Sequence, residues 1–207
     1  MRRFILAALA LAIATPAFAQ APEGWTFRVD PSRNPSDPDR SNEVAFAKME
    51  PGFHVTTGPA AVLYNAKNVA TGTYTLKGTF HLMKPSSHNN YYGLVFGGDA
   101  LDAEGQNYLY FLVGQNGSYI VKHRGGPNTH NVQARTPHDA VVKPDAEGKS
   151  ANTLEVRVGA DKIDYVINNV VVHSTPKAGM TAKTDGIWGA RINHQLDVHV
   201  TGLGVSK

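Results

Sequence analysis

Apolar and polar residues alternate along most of this chain, and the alternation has the period of a β-strand. Between Gly72 and Met83, Tyr74, Leu76, Phe80 and Leu82 (with Gly78) fall on one side. Thr73, Thr75, Lys77, Thr79 and His81 fall on the other. This strict period of two marks a half-buried strand. The same pattern recurs at 53–57, 61–64 and 91–96, at Leu154, Val156 and Val158, and at Ile163, Tyr165 and Ile167. Gly186 to His194 and Leu196 to Val205 form a last pair, predicted to close as a hairpin near His194-Gln195. Trp25, Phe27 and Val29 alternate in an edge strand, and Glu43 to Lys48 reads as one helical turn. Residues 31–42, with three prolines and no apolar side chain, read as an exposed loop. Between Gly125 and Ser150 order is lowest, with short edge strands expected at 132–134 and 140–142. About a dozen short strands with almost no helical periodicity predict an all-β, antiparallel two-sheet sandwich of the jelly-roll kind.

The stretch Gln106 to Gly125 organises the chain. Asn116-Gly117 is a strong hairpin signal, but its register decides what the hairpin presents, because a slip of one residue exchanges the two faces. A two-residue loop pairs Phe111 with Lys122 and Leu109 with Arg124. A three-residue loop, with Gly117 as a left-handed bulge, pairs Phe111 with Val121, Val113 with Tyr119, Tyr110 with Lys122 and Tyr108 with Arg124. The second register is expected, because it keeps an unpaired ammonium out of the core, where it costs several kcal/mol. Leu109, Phe111, Val113, Tyr119 and Val121 then face the core. Tyr108, Tyr110, Lys122 and Arg124 form a mixed aromatic and basic surface.

Composition changes this picture at the N-terminus. Met1-Arg2-Arg3, the apolar run from Phe4 to Ala14 and Ala17-Phe18-Ala19 have the layout of a secretory signal peptide over 1–19, with the mature chain starting at Gln20. The expected address is the periplasm or the medium. The apolar run is too short to span a bilayer, so no membrane anchor is expected. Removing the leader lowers the formal charge from +3 to +1, since it carries Arg2 and Arg3 and no acid. That balance argues against a nucleic-acid partner, which needs clustered basic residues. Residues 20–50 are expected to pack as strand and loop on a sandwich domain spanning 51–207. The chain has no cysteine, which removes thiol catalysis and zinc–thiolate sites, and a domain of this size needs no disulfide.

The segments GLVFGG (93–98), NYLYFLVGQNGSYIVKHR (107–124), NTLEVRVGADKIDYVINN (152–169) and GIWGARINHQLDVHV (186–200) resemble the concanavalin A-like lectin/glucanase jelly roll. Their order is similar to the laminin-G-like sandwiches and, more closely, to the bacterial exported domain called 3-keto-disaccharide hydrolase. The resemblance implies a ligand on the concave sheet, often a glycan, although one fold hosts many functions. It departs from the glucanases in lacking their carboxylate motif, E-x-D-x-E or E-x-D-x-x-E on one strand. Glu155 beside Arg157 reads as an ion pair, not one of two catalytic carboxylates.

Two constellations are candidates for chemistry. Tyr108, Tyr110, Lys122, Arg124, Arg191 and Asn193 are expected ligand contacts: rings for sugar faces, cations and an amide for hydroxyls or a carboxylate. The bland reading of the same residues is a solvated sheet face. In the closing hairpin, Arg191 and Asn193 are expected to meet Asp197 and His199. Asp197 beside a histidine is an orienter–base arrangement, which makes His194, Asp197 and His199 the acid/base candidates of a glycoside-type hydrolase. A hydrogen-bonded network locking the hairpin is the alternative. His123, His130 and His138 lack metal-ligand spacing, and Asp99, Asp102 and Glu104 lack that of a calcium loop, so no cofactor is expected. No serine-nucleophile or phosphate-loop motif occurs. Function therefore divides three ways: a carbohydrate-binding jelly roll, a hydrolase of a (keto-)glycoside, or a structural or protein-binding sandwich, its oligomeric state open.

Overall fold

The computed structural model describes residues 20–30 and 43–207; the predicted leader and the proline-rich loop at 31–42 lie outside the described residues. Two antiparallel sheets of seven strands, numbered in chain order, make a β-sandwich. From edge to edge the first sheet holds β1 (Trp25–Asp30), β4 (Ala60–Ala70), β13 (Gly186–Ile192), β6 (Tyr91–Asp99), β7 (Asn107–Gly114), β8 (Ser118–Gly125) and β9 (Asn128–Pro137). The second holds β12 (Val170–Pro176), β11 (Lys162–Ile167), β10 (Ser150–Val158), β5 (Tyr74–Lys84), β14 (Asp197–Ser206), β3 (Phe53–Thr57) and β2 (Val44–Lys48).

The core lies between the sheets and is built from alternate residues of both. Leu63, Leu94, Phe96, Leu109, Phe111, Val113 and Val121 come from the first sheet. Leu76, Phe80, Leu82, Leu154, Val156, Tyr165 and Val198 come from the second. Each such side chain, fully buried, contributes roughly 1.5–3 kcal/mol. The first sheet is unusual in being apolar on its outer face as well, where Val62, Tyr64, Tyr91, Val95, Tyr108, Tyr110, Leu112 and Ile120 form a second cluster capped by Leu101.

The central hairpin has the expected register. Phe111 pairs with Val121, Val113 with Tyr119, Tyr110 with Lys122 and Tyr108 with Arg124. Gly117 has φ +82° and donates its N–H to the Gly114 carbonyl, so the bulge uses the left-handed conformation glycine adopts without steric cost.

Three local expectations are corrected. Residues 44–48 form a strand, not a helical turn. β2 pairs with β3 so that Phe46 lies opposite Val55, and Phe46 packs on Phe53 and Trp25. Edge burial of that ring overrides the weak helical preference of the segment. Residues 132–134 belong to a longer strand, β9, while 140–142 form none. The Val142 N–H and C=O are both taken by the Asn152 side chain, leaving no ladder for a strand. Finally, β13 and β14 do not pair. β13 lies between β4 and β6, and β14 between β5 and β3, so the 193–196 turn crosses from one sheet to the other. Thr57 holds that crossing: its hydroxyl contacts the Asn193 carbonyl at 2.5 Å and accepts from the Leu196 N–H at 3.1 Å.

Candidate functional site

Because β13 and β14 belong to different sheets, their polar residues point away from each other through the sandwich. Arg191 and Asn193 reach the outer face of the first sheet; Asp197 and His199 lie on the outer face of the second. The expected four-residue cluster is therefore not formed. Asp197 Oδ1 instead lies 2.7 Å from Nε2 of His54 on β3. His199 stands between His54 and His81, with ring centroids 6.1 and 5.9 Å away, and His194 occupies the turn. The Asp–His contact thus uses His54, a residue the sequence reading passed over. The signal was available: His54, His81 and His199 all sit at outward positions of strands that pair in register, His199 opposite both of the others.

On the first sheet the outcome differs. A cleft of about 510 Å³ opens on its outer face, lined by Tyr91, Tyr110, Ile120, Lys122, Asn131, Arg135, Arg191 and Asn193. β7, β8, β13 and the residue that follows β13 bring four predicted contacts to it, Tyr110, Lys122, Arg191 and Asn193. Tyr91, Ile120, Asn131 and Arg135 were missed. Asn131 and Arg135 come from β9, whose polar sequence hides its strand; Asn131 pairs directly across from Lys122.

The remaining two predicted contacts, Tyr108 and Arg124, sit behind the cleft as support. Tyr108 is 0% exposed, which corrects the expectation of a free ring. Its hydroxyl lies 2.9 Å from Arg191 Nη1, which donates to it. Arg124 donates from Nε to the Gly126 carbonyl and approaches Asp30 at 3.9 Å. Asp30, the last residue of β1, is the hub: Arg191 Nη1 donates to its Oδ2 at 2.6 Å, and Arg28 lies 3.6 Å from Oδ1. Burial works to raise the Asp30 carboxyl, but Arg191, Arg124 and Arg28 outweigh it and hold the pKa below the ordinary carboxylate value. Burial pushes the Tyr108 hydroxyl up to about 12, so it stays protonated at neutral pH.

Arg191, 8% exposed, is fixed from three sides. Besides Asp30 and Tyr108, its Nε donates to Asn193 Oδ1 at 3.0 Å, and the guanidinium lies 5.3 Å from the Tyr110 ring centre. Tyr110 is 5% exposed, so it forms a floor and offers no open ring face for stacking. The Tyr91 ring is covered by Arg135 at 5.8 Å. The cleft accordingly presents N–H donors and positive charge more than aromatic surface. Lys122 shows the consequence: burial, with Arg191 and Arg135 repelling it, lowers its pKa.

The other candidates fall elsewhere. Glu155 is bound by Arg157 at 2.7 Å, as expected, and also by Lys77 at 2.9 Å. Asp99 pairs with Lys183 at 2.7 Å, away from Asp102 and Glu104 in the same turn. His123 stacks on His130 at 6.0 Å, while His138 packs on Tyr119. No group of three or more His, Asp or Glu among the described residues is arranged to hold a metal ion. No described helix is long and apolar enough to cross a membrane.

No protein-family model and no curated protein matches the sequence. Solved structures do match. The carbohydrate-binding module CBM66 of Bacillus subtilis superposes with a TM-score of 0.63 at 10% identity, over 89% of this chain and 96% of that one. A Bacillus subtilis protein of unknown function with a galectin-like fold gives 0.58 at 12% identity, over 87% and 97%. A Bacteroides ovatus mixed-linkage glucan GH16 protein in complex with a G4G4G3G product gives 0.54 at 11% identity, over 88% and 95%. At these identities the likeness is one of fold alone: an antiparallel two-sheet β-sandwich of the kind these lectin-like and glucanase-like structures share.

Proposed function

We propose that this protein is an exported carbohydrate-binding domain whose ligand sits in the cleft on the outer face of the first sheet. The observation that carries the reading is convergence: Tyr110, Lys122 and Arg191, drawn from three separate strands, and Asn193, just past the end of β13, line one cleft of about 510 Å³. The fold adds support, since proteins that share it include a carbohydrate-binding module. Arg191 and Asn193, locked together by a 3.0 Å hydrogen bond, provide a preorganised wall, and Lys122, Asn131 and Arg135 bring donors to the open side. Sugar hydroxyls suit such a surface, because each good donor–acceptor pair in a largely preformed site adds affinity at little ordering cost. Export, read from residues 1–19, would bring the domain into contact with extracellular or periplasmic glycans.

The test is steric and independent of charge. Asn131→Trp, at an exposed edge-strand position, fills the cleft without touching the core. Glycan-array binding and the ligand-induced rise in melting temperature are expected to disappear in this variant and to survive in Thr79→Trp on the outer face of the second sheet. Retained binding in Asn131→Trp would place the ligand elsewhere. Turnover of a glycoside by the wild type, abolished by His199→Ala, would replace this reading with the hydrolase one.

A further inference from the structure

We infer that the ligand of the first-sheet cleft is an acidic saccharide, a sugar chain carrying carboxylates, and that Lys122 and Arg135 are the residues that select it; this rests on the reading of the cleft as a carbohydrate site. The argument begins with a count of charge. Three cations, Lys122, Arg135 and Arg191, line the cleft, and none of its described lining residues is acidic. Arg191 already has its counter-ion, because Asp30 accepts its hydrogen bond at 2.6 Å from beneath. Asp30 is further shared with Arg28 and Arg124, so it has little charge to offer the cleft.

Lys122 and Arg135 stand differently. Arg135 rests on the Tyr91 ring, which attracts a cation but does not neutralise it. The charged groups that act on Lys122 are Arg191 and Arg135, both positive. Among the described residues, no ion pair joins either side chain to a carboxylate. Lys122, Arg135 and Arg191 in the cleft, with Arg28 and Arg124 behind it, thus gather about the single carboxylate of Asp30, in a chain whose formal charge without its leader is only +1. A neutral sugar would leave the half-buried Lys122 and the exposed Arg135 repelling each other with no counter-charge between them. A carboxylate placed between them relieves that repulsion and accepts charge-assisted hydrogen bonds from both, which are about twice as strong as neutral ones. The arrangement of the rings agrees. Tyr110 and Tyr91 are taken up by Arg191 and Arg135, so discrimination falls to charge and not to stacking.

The experiment measures binding of the full-length mature chain to polygalacturonate, alginate and hyaluronan fragments. Each is paired with its methyl-esterified counterpart, in which the skeleton is kept and the charge removed. Binding is expected for at least one acid form and at least tenfold weaker for its ester, with affinity falling as salt rises. Lys122→Met and Arg135→Gln should each weaken that binding by about ten- to a hundredfold, the usual loss for a hydrogen bond to a charged group. Lys67→Met, an exposed charge loss on β4, should leave it unchanged. Equal affinity for acid and ester, or binding of neutral glycans that Asn131→Trp abolishes and Lys122→Met does not, overturns the acidic-ligand inference and leaves the cleft as a sugar site. Absence of binding to every acidic and neutral glycan overturns both. Circular dichroism and melting of each variant confirm that lost binding is not lost folding.

Discussion

At the scale of single residues, the site depends on Arg191. Its guanidinium joins β13 to β1 through Asp30 and to β7 through Tyr108, at 2.6 and 2.9 Å. Both bonds come from Nη1 while Nε holds Asn193, and lysine, with a single nitrogen, does not reproduce this two-nitrogen arrangement. In Arg191→Met the largely buried Asp30 keeps Arg28 and Arg124, both beyond 3.5 Å, and a long hydrogen bond from the Tyr108 hydroxyl at 3.5 Å. Breaking a buried pair in this way typically costs about 3–5 kcal/mol. For a domain of this size the melting temperature should fall by roughly 10 °C, and Arg191→Lys should lie between the variant and the wild type. A loss below about 1 kcal/mol in denaturant titration would mean that Asp30 is solvated and the wall of the cleft is not rigid. The sequence reading placed Arg191 correctly on the outward side of its strand. Its partner Asp30 lies 161 residues away along the chain, and no local pattern links them.

Among the elements, the turns separate what is local from what is not. Asn168 and Asn169 both adopt positive φ, +48° and +69°, as the tight turn between β11 and β12 requires. Asn169 is exposed, and Asn169→Gly should be neutral or stabilise by up to about 1 kcal/mol, since glycine adopts that conformation more readily. Asn168 is different, because its side chain accepts from the Thr153 N–H at 2.8 Å and donates to the Ala140 carbonyl and to Asn152 Oδ1. Asn168→Gly should therefore cost about 1–3 kcal/mol, the penalty for leaving buried polar groups unsatisfied. Chemical denaturation of the two variants separates the roles, and equal effects would refute the assigned network. The same network explains why residues 140–142 look like a strand in sequence yet form none: side-chain amides of distant residues replace the missing ladder. The β7–β8 hairpin is the opposite case. There the bulge glycine and the cost of burying Lys122 or Arg124 fix the register from residues within one hairpin.

For the whole molecule, pH dependence follows from the buried and partly buried titratable groups. Burial lowers the pKa of His81, with a contribution from His199, of His123, with one from His130, and of His173. A histidine whose folded pKa lies below its unfolded value binds fewer protons when folded. Stability is then full above the unfolded pKa, near 6.5, and is lost as pH falls through and below it. Asp30 and Glu155 also have lowered pKa values, because their basic partners outweigh burial. Their contribution is present above the ordinary carboxylate range and is lost as pH falls below about 4. Unfolding free energy measured from pH 8 to pH 3 should therefore decline in two stages, and His81→Gln should flatten the upper one. A constant value between pH 7.5 and 5 would contradict the histidine assignment.

What the sequence determined alone is what local rules govern. Period-two alternation assigns most of the strands, the Asn-Gly turn with its bulge sets the hairpin register, and each candidate side chain is assigned to the core or the outside. Tertiary structure decided which sheet each strand joins. The inward faces of β13 and β14 are equally apolar whether they pair with each other or with strands from elsewhere, so the pattern is silent between the two. The choice is made by neighbours distant in the chain, and it separated Arg191 from His199 while bringing β9 beside Lys122. The cleft depends on that second kind of information, because it is a relation between strands and not a property of any one of them.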